Sequence, residues 1–135
     1  LSAIDLGSGP GFPGIPFKIW NADLNLTLIE ANQKKATFLR EVVRTLDMED
    51  AEVLDQRVES IARKADLVTM RAVEQFNRVL PHAGRLLNPS GRLALLISDD
   101  QAQAAKQFLQ RITWNHSVPI PLSRNRVLLI GTFAK

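Results

Sequence analysis

Four glycines cluster near the start of the chain, directly after an acidic residue that ends a short apolar run. The segment reads Asp5-Leu6-Gly7-Ser8-Gly9-Pro10-Gly11-Phe12-Pro13-Gly14. Glycines allow positive φ and let the backbone approach a ligand closely, and Pro13 suits the first turn of a helix. Because ligands of open α/β sheets bind beyond the carboxyl ends of the strands, we predict a ligand-binding turn between the first strand and the first helix.

The register of the glycines separates two classes of ligand. Gly9 to Gly14 spells the G-x-G-x-x-G pattern of dinucleotide binding, but this register leaves Gly7 inside the strand end. The pattern D-x-G-x-G-x-G uses every residue: Asp5, Gly7, Gly9 and Gly11. A carboxylate near helix N-terminal amides suits the ammonium and carboxylate of an amino-acid tail, as in S-adenosylmethionine. A tight turn without ligand is the remaining alternative, and it leaves the entropic cost of four glycines unexplained.

A second acidic residue ends the next predicted strand, about 20 residues beyond the loop. This residue is Glu30, whose carboxylate can accept hydrogen bonds from both hydroxyls of a ribose. A glutamate at a strand end is otherwise simply solvated. Together with the glycine loop, Glu30 favours S-adenosylmethionine as the ligand.

Strand-like and helix-like segments alternate along the chain, which predicts an α/β fold with a mainly parallel sheet and helices on both faces. The predicted strands are Ala3–Leu6, Leu26–Glu30, Ala51–Leu54, Asp66–Met70 and Arg92–Ile97. Three helices are predicted from apolar residues with a period near 3.6. Their stripes are Ala36, Leu39, Val43 and Leu46; Val73, Phe76, Leu80, Ala83 and Leu87; and Ala102, Ala105, Leu109 and Ile112.

Local signals refine this order of elements. Ser98 and Gln101 have the spacing of a capping box at the start of the third of these helices, and 88–91 has turn residues between a helix and a strand. Near the C-terminus, Thr113–Ile120 and Arg126–Phe133 are strand-like and joined by a short link, so they must pair antiparallel. A parallel sheet that ends in such a hairpin is typical of Rossmann-like class I methyltransferases.

The composition predicts one globular domain over residues 1–135, with 45% apolar and 23% charged residues. No apolar run is long enough for a membrane span, and no signal-peptide pattern begins the chain. The absence of Cys excludes disulfides and thiolate metal sites, so we expect a cytoplasmic protein without a bound metal. A net charge of +3 allows an anionic partner without requiring one. The oligomeric state stays open, with a monomer favoured.

Several motifs together closely resemble the RsmG (GidB) family. They are the loop from Asp5 to Pro16, Leu28-Ile-Glu-Ala-Asn-Gln-Lys-Lys-Ala-Thr-Phe-Leu-Arg40, Gln56-Arg-Val-Glu59 and Thr69-Met-Arg-Ala-Val73. The resemblance runs from Leu1 to about Gly91 and is thin beyond. It implies a Rossmann-like methyltransferase that uses S-adenosylmethionine to modify N7 of a guanosine in the 530 loop of bacterial 16S ribosomal RNA.

The resemblance also implies roles for individual residues at the cofactor. It puts Gly7 and Phe12 against the cofactor, Glu30 and Ala31 at its ribose, Val58 and Glu59 around its adenine, and Arg71 at the cofactor or the mouth of the site. A surface ion pair is the alternative for Arg71. Guanine N7 carries a free lone pair, so methylation there needs no general base and we predict no acid–base catalytic residue.

Four basic residues, Lys34, Lys35, Arg40 and Arg44, lie at the start and outer face of the second predicted helix. These residues either hold RNA phosphates beside the cofactor cleft or form a solvated face. Small-subunit ribosomal RNA is the partner that the family resemblance implies.

The chain departs from the family pattern at two places. It has neither an initiator Met nor the helical segment that usually precedes the first strand, so we expect a piece of a longer chain that binds cofactor but transfers methyl groups weakly. Ile97-Ser98 replaces the usual Lys-Gly and is followed by Asp99 and Asp100, which would repel RNA. Two alternatives therefore stay open: a methyltransferase with another acceptor, and a non-catalytic RNA-binding relic of the fold.

Overall fold

Strands and helices alternate in the computed structural model, which describes residues 1–7, 9–71 and 76–134. The strands are β1 (Ser2–Leu6), β2 (Asn25–Ile29), β3 (Ala51–Leu54), β4 (Ala65–Arg71), β5 (Leu87–Ser98), β6 (Ile112–Trp114), β7 (Val118–Pro119) and β8 (Arg126–Phe133). The helices are α1 (Gly14–Trp20), α2 (Gln33–Thr45), α3 (Phe76–Arg85) and α4 (Asp99–Phe108), with a short 3₁₀ helix at Val58–Ser60.

The strands form one sheet in the order β3-β2-β1-β4-β5-β8-β6, and β7 also pairs with β8. The pairs from β3 through β5 are parallel, whereas β8 is antiparallel to β5, β6 and β7. Because β1 to β5 point the same way, their carboxyl ends meet at one edge of the sheet, which we call the carboxyl edge. The mainly parallel α/β sheet predicted from the sequence is confirmed.

Helices cover both faces of this sheet, as predicted. On one face, Ile15 of α1 and Leu39 of α2 pack on Leu26 and Leu28 of β2. On the other face, α3 and α4 contribute buried residues to a larger cluster that contains Ile4 and Leu6 of β1. Successive strand residues therefore enter opposite clusters, as the alternation of side chains along a strand requires.

The helices end earlier than their apolar stripes predicted. Leu87 lies in β5, where its backbone pairs with Ala65, and Ile112 lies in β6 opposite Phe133. Leu46 caps the C-terminus of α2 and is about half exposed. Leu87 and Ile112 keep the helical spacing by coincidence, because a buried strand also needs an apolar residue at its start. Val73 of the predicted stripe lies outside the described residues.

The predicted turn at 88–91 lies inside the bounds of β5. The register with β4 jumps from Ala65↔Leu87 to Leu67↔Arg92, so the intervening residues bulge out of the ladder, and Ser90 has φ +66°. At the other end of β5, Ser98 and Gln101 form the predicted capping box of α4.

The C-terminal hairpin is confirmed with one correction. The first of its two predicted strands is divided into β6 and β7, whose registers against β8 differ by one residue. β8 lies between β5 and β6, and its residues Val127 and Leu129 are almost fully buried.

Within the described ranges, no helix is long and apolar enough to cross a membrane. In the same ranges, no cluster of three or more His, Cys, Asp or Glu side chains could hold a metal ion.

Candidate cofactor and RNA site

The glycine loop is held in place by the side chain of Asp5, the last but one residue of β1. One carboxylate oxygen of Asp5 accepts the Gly14 backbone N–H at 3.1 Å, and the other accepts the Thr69 hydroxyl at 2.8 Å. A Cβ atom on Gly14 would lie only 2.7 Å from this carboxylate, so only glycine fits there. Asp5 is 1% exposed, and its carboxylate joins β1, α1 and β4.

Glu30 lies at the carboxyl end of β2 and organises the backbone on both sides of it. Its Oε1 atom accepts the Gly9 N–H at 2.9 Å, and its Oε2 atom accepts the Asn32 N–H at 3.0 Å. Asn32 in turn caps α2 by accepting the Lys35 N–H at 3.1 Å. The carboxylate therefore joins the glycine loop to the start of α2 while keeping lone pairs for further donors.

Arg71 ends β4 with its guanidinium over the glycine loop. Its Nη2 atom lies 3.0 Å from where a Cβ atom of Gly9 would stand, and Gly9 has φ +53°. The Nε atom of Arg71 is buried and has no hydrogen-bond partner among the described residues. A buried donor of this kind needs an acceptor, and an anion at the glycine loop would provide one.

Two adjoining cavities open at the carboxyl edge, and they share Gly7 and Glu30. The larger cavity, of about 760 Å³, is lined by Gly7, Gly9, Pro10, Glu30, Lys34, Lys35, Phe38 and Arg71. The smaller cavity, of about 150 Å³, is lined by Leu6, Gly7, Ile29, Glu30, Ala31, Gln56, Arg57, Val58, Arg78 and Val79. We call them the loop cavity and the side cavity.

The wall of the side cavity is a short 3₁₀ helix that begins at Val58. Arg85 of α3 holds this segment by donating to the Val58 carbonyl at 3.2 Å and to the Ile61 carbonyl at 2.8 Å. Glu59 forms an ion pair with Arg78 of α3. Among the described residues, Val58 and Arg78 line the side cavity whereas Glu59 does not.

Two further predicted cofactor residues are absent from the described lining of both cavities. Gly11 has φ +99° and is buried, and a Cβ atom there would meet Ile15 at 2.9 Å and Leu39 at 3.3 Å. Gly11 therefore lets the loop pack against α1 and α2. Phe12 is 53% exposed and lies outside both cavities.

The four basic residues of α2 do not form one surface. Lys34 and Lys35 line the loop cavity, whereas Arg40 lies 3.6 Å from Asp55, beyond the end of β3. Arg44 pairs with Glu41, and this hydrogen bond and ion pair lower the pKa of Glu41 and raise that of Arg44. At 100° per residue, Lys35 and Arg40 lie about 70° to either side of the middle of the buried stripe formed by Ala36 and Leu39, so these two residues point to different sides of α2.

Eight of the lining residues were not predicted from the sequence as site residues. They are Leu6, Pro10, Ile29, Phe38, Gln56, Arg57, Arg78 and Val79. Phe38 had a usable signal, because a large apolar residue off the Ala36 and Leu39 stripe must face outward. Arg78 had none, since its ion pair with Glu59 depends on how α3 packs against the 3₁₀ helix.

Solved structures of methyltransferases share this architecture. The ribosomal protein L11 methylase of Lactobacillus delbrueckii subsp. bulgaricus superposes with a TM-score of 0.85 at 16% identity, covering 100% of this chain and 71% of that one. The precorrin-6y C5,15-methyltransferase of Geobacter metallireducens GS-15 superposes with a TM-score of 0.77 at 16% identity, covering 100% and 80%. The fold is that of the class I methyltransferases.

The chain belongs to the family of rRNA small subunit methyltransferase G, whose model matches residues 1–124. The enzyme of that name from Xanthomonas axonopodis pv. citri (strain 306) is 44% identical over 91 residues, which cover 66% of this chain and 43% of the relative. The one from Chloroflexus aggregans (strain MD-66 / DSM 9485) is 42% identical over 146 residues, covering 96% and 60%. The chain thus spans 43% to 60% of these relatives. The family model extends beyond Gly91, where the resemblance was predicted to become thin, whereas the match to the Xanthomonas relative covers only 66% of the chain.

Proposed function

We propose that this chain is the S-adenosylmethionine-dependent methyltransferase domain of an enzyme that methylates guanine N7 in the 530 loop of 16S ribosomal RNA. The observation that carries the proposal is the convergence of the glycine loop, Glu30 and Arg71 on one cavity in a chain of this family. The nucleotide and its position follow from the family resemblance.

The side cavity is suited to the adenosine half of the cofactor. Glu30 has lone pairs free for ribose hydroxyls at the boundary of the two cavities, and Ala31 lies beside it. The backbone of Val58 would contact the adenine edge, and Glu59 would accept from the adenine amino group once it turns toward the cavity. Gly7 would lie under the point where the two halves of the cofactor meet.

The loop cavity is suited to the other half of the cofactor and to the acceptor. Arg71 would donate to the tail carboxylate, which gives its buried Nε–H the acceptor that the described residues do not provide. The backbone amide of Gly9 is already bound to Glu30, so the loop keeps its shape before any ligand arrives. S-adenosylmethionine supplies a methyl group activated by a positively charged sulfur.

The residues of the site contribute by positioning rather than by proton transfer. Glu30 is the one carboxylate in the described lining of the loop cavity, and both its oxygens already accept backbone N–H groups. Guanine N7 attacks with an in-plane lone pair and loses no proton. Alignment of the acceptor and exclusion of water are therefore the main requirements of catalysis.

We expect the chain to bind S-adenosylmethionine and S-adenosylhomocysteine by isothermal titration calorimetry, with NAD as the control ligand. Binding of NAD without binding of either sulfur compound would contradict the assignment of S-adenosylmethionine as the cofactor. Methyl transfer is then followed with labelled cofactor and small-subunit RNA, using the full-length protein of the parent gene. Cofactor binding without methyl transfer to that RNA would contradict only the assignment of small-subunit RNA as the acceptor.

A second candidate function keeps the cofactor and changes the acceptor to a small molecule or another RNA. Asp99 and Asp100 favour it, because both are exposed in the first turn of α4, directly after β5 reaches the carboxyl edge. Their charge also stabilises the N-terminus of α4, which gives them a structural role in either case. Transfer to a small acceptor, with none to small-subunit RNA, would support this candidate.

Salt dependence is expected to distinguish the two lysines from the two arginines of α2. Replacing Lys34 and Lys35 with glutamine should flatten the plot of log RNA affinity against log salt by about 1.4, since about 0.7 is expected for each lost contact to single-stranded phosphate. Fluorescence anisotropy with a labelled oligonucleotide of the 530 loop measures this slope.

The matched control replaces Arg40 and Arg44 with glutamine, which removes the same amount of charge from the same helix. These arginines are held by Asp55 and Glu41, so their loss should leave the slope unchanged. Equal slopes in the wild type and the lysine variant would mean that Lys34 and Lys35 are solvated and do not contact RNA phosphates.

A further inference from the structure

Phe38 is a large apolar side chain that the fold leaves in the loop cavity. It is 53% exposed, although Ala36 and Leu39 of the same helix are fully buried. At 100° per residue, Phe38 lies between the directions of Lys34 and Lys35 and one turn further along α2. The aromatic ring is therefore presented to the same space as the two lysines rather than to the core.

The surroundings of Phe38 divide the loop cavity into two parts. Gly7, Gly9 and Arg71 come from the ends of β1 and β4, and we have assigned this side to the cofactor. Phe38 and the lysines form the wall on α2. A flat aromatic ring flanked by two cations suits a nucleotide, because the base can stack on the ring while the phosphates meet the lysines.

We infer that the acceptor guanine stacks on the ring of Phe38. We further infer that this ring binds the methylated guanine more tightly than the unmethylated one. This inference rests on the proposed function and names the residue that would hold the acceptor in the same site.

The expected preference follows from where charge goes during the reaction. The N7 lone pair forms the new bond to carbon as the bond between carbon and sulfur breaks, and the electrons of that bond remain on sulfur. The positive charge thereby moves from the sulfonium to the purine ring, and no proton is released. Lys34, Lys35 and Arg71 oppose a positive charge in the loop cavity, whereas the face of an aromatic ring attracts it.

Phe38 would therefore contribute more in the transition state than in the ground state, which is the condition for accelerating the chemical step. Phe38 is a positioning and specificity residue by this argument, and its contribution depends on aromatic character.

The test uses the full-length protein and compares Phe38→Leu, Phe38→Trp and the wild type. We expect Phe38→Leu to lower kcat on small-subunit RNA by about tenfold, with an unchanged dissociation constant for S-adenosylhomocysteine, and Phe38→Trp to restore most of the rate. Phe108→Leu is the matched control, because Phe108 is 60% exposed on α4 and lines a different cavity.

A second measurement does not depend on turnover. The complex with S-adenosylhomocysteine is titrated with 7-methylguanosine monophosphate and with guanosine monophosphate in mildly acidic buffer, where the methylated base keeps its positive charge. The wild type and Phe108→Leu should prefer the methylated nucleotide, and Phe38→Leu should lose the preference. An active wild type with an unchanged rate and preference in Phe38→Leu would overturn the inference and leave the proposed function intact, whereas a wild type that transfers no methyl group to this RNA would contradict the proposed function itself.

Discussion

Replacing Glu30 with alanine should raise the dissociation constant of S-adenosylhomocysteine by about tenfold to a hundredfold. Glu30 is 9% exposed and lies at the boundary of both cavities, and hydrogen bonds to a charged group contribute roughly 1.5 to 3 kcal/mol. The variant also removes the acceptor of the Gly9 N–H, so the glycine loop loses a contact that shapes it. Calorimetry gives the dissociation constant of each protein.

Glu52→Ala is the control for this change. Glu52 is an exposed glutamate of the neighbouring strand β3, where it pairs with Arg63, and it lies outside the described lining of both cavities. Its replacement should leave the affinity for S-adenosylhomocysteine unaltered. An unchanged affinity in Glu30→Ala would mean that Glu30 only organises the backbone at Gly9 and Asn32.

Replacing Asp5 with alanine should lower the free energy of unfolding by about 3 kcal/mol, because at least two buried donors would lose their acceptor. These donors include the Gly14 N–H and the Thr69 hydroxyl, which belong to α1 and β4. Urea denaturation followed by circular dichroism measures the loss. The affinity for the cofactor should fall as well, since the loop would no longer be fixed from below.

Two variants separate this structural role from direct binding by Asp5. Thr69→Val removes a single donor and should cost less than Asp5→Ala, and Asp5→Asn should lie between them because the amide keeps one acceptor oxygen. Sequence analysis interpreted Asp5 as the partner of a ligand ammonium. Full stability combined with lost cofactor affinity in Asp5→Ala would favour that interpretation over the one drawn from the structure.

The basic residues of α2 were predicted to act as one group, and their surroundings in the structure differ. The sequence shows Lys34, Lys35, Arg40 and Arg44 as one basic group, yet Lys34 and Lys35 line the loop cavity whereas the two arginines pair with acidic residues. Arg40 meets Asp55, which comes from a loop beyond β3 and is close only in the folded chain. Partners of this kind decide which basic residues are available to phosphates, and spacing along one helix does not reveal them.

What the sequence determined by itself is local. The glycine loop, the capping box of Ser98 and Gln101 and the alternation of strands and helices rest on interactions between residues close in the chain, and all three are present in the structure. The family also follows from motifs within short segments, and the match to its model over residues 1–124 confirms it. Backbone propensities and periodic apolar patterns are enough for these features.

Only the tertiary structure decided what depends on contacts between distant segments. Asp5 is buried and bonded to Thr69, and Arg71 lies over Gly9. β8 lies between β5 and β6 in the sheet. The fold also leaves Phe38 in the cavity of the glycine loop, although its neighbours on α2 are buried. A side chain's role at such a site depends on which elements pack beside it, and packing is settled by the whole core rather than by the local sequence.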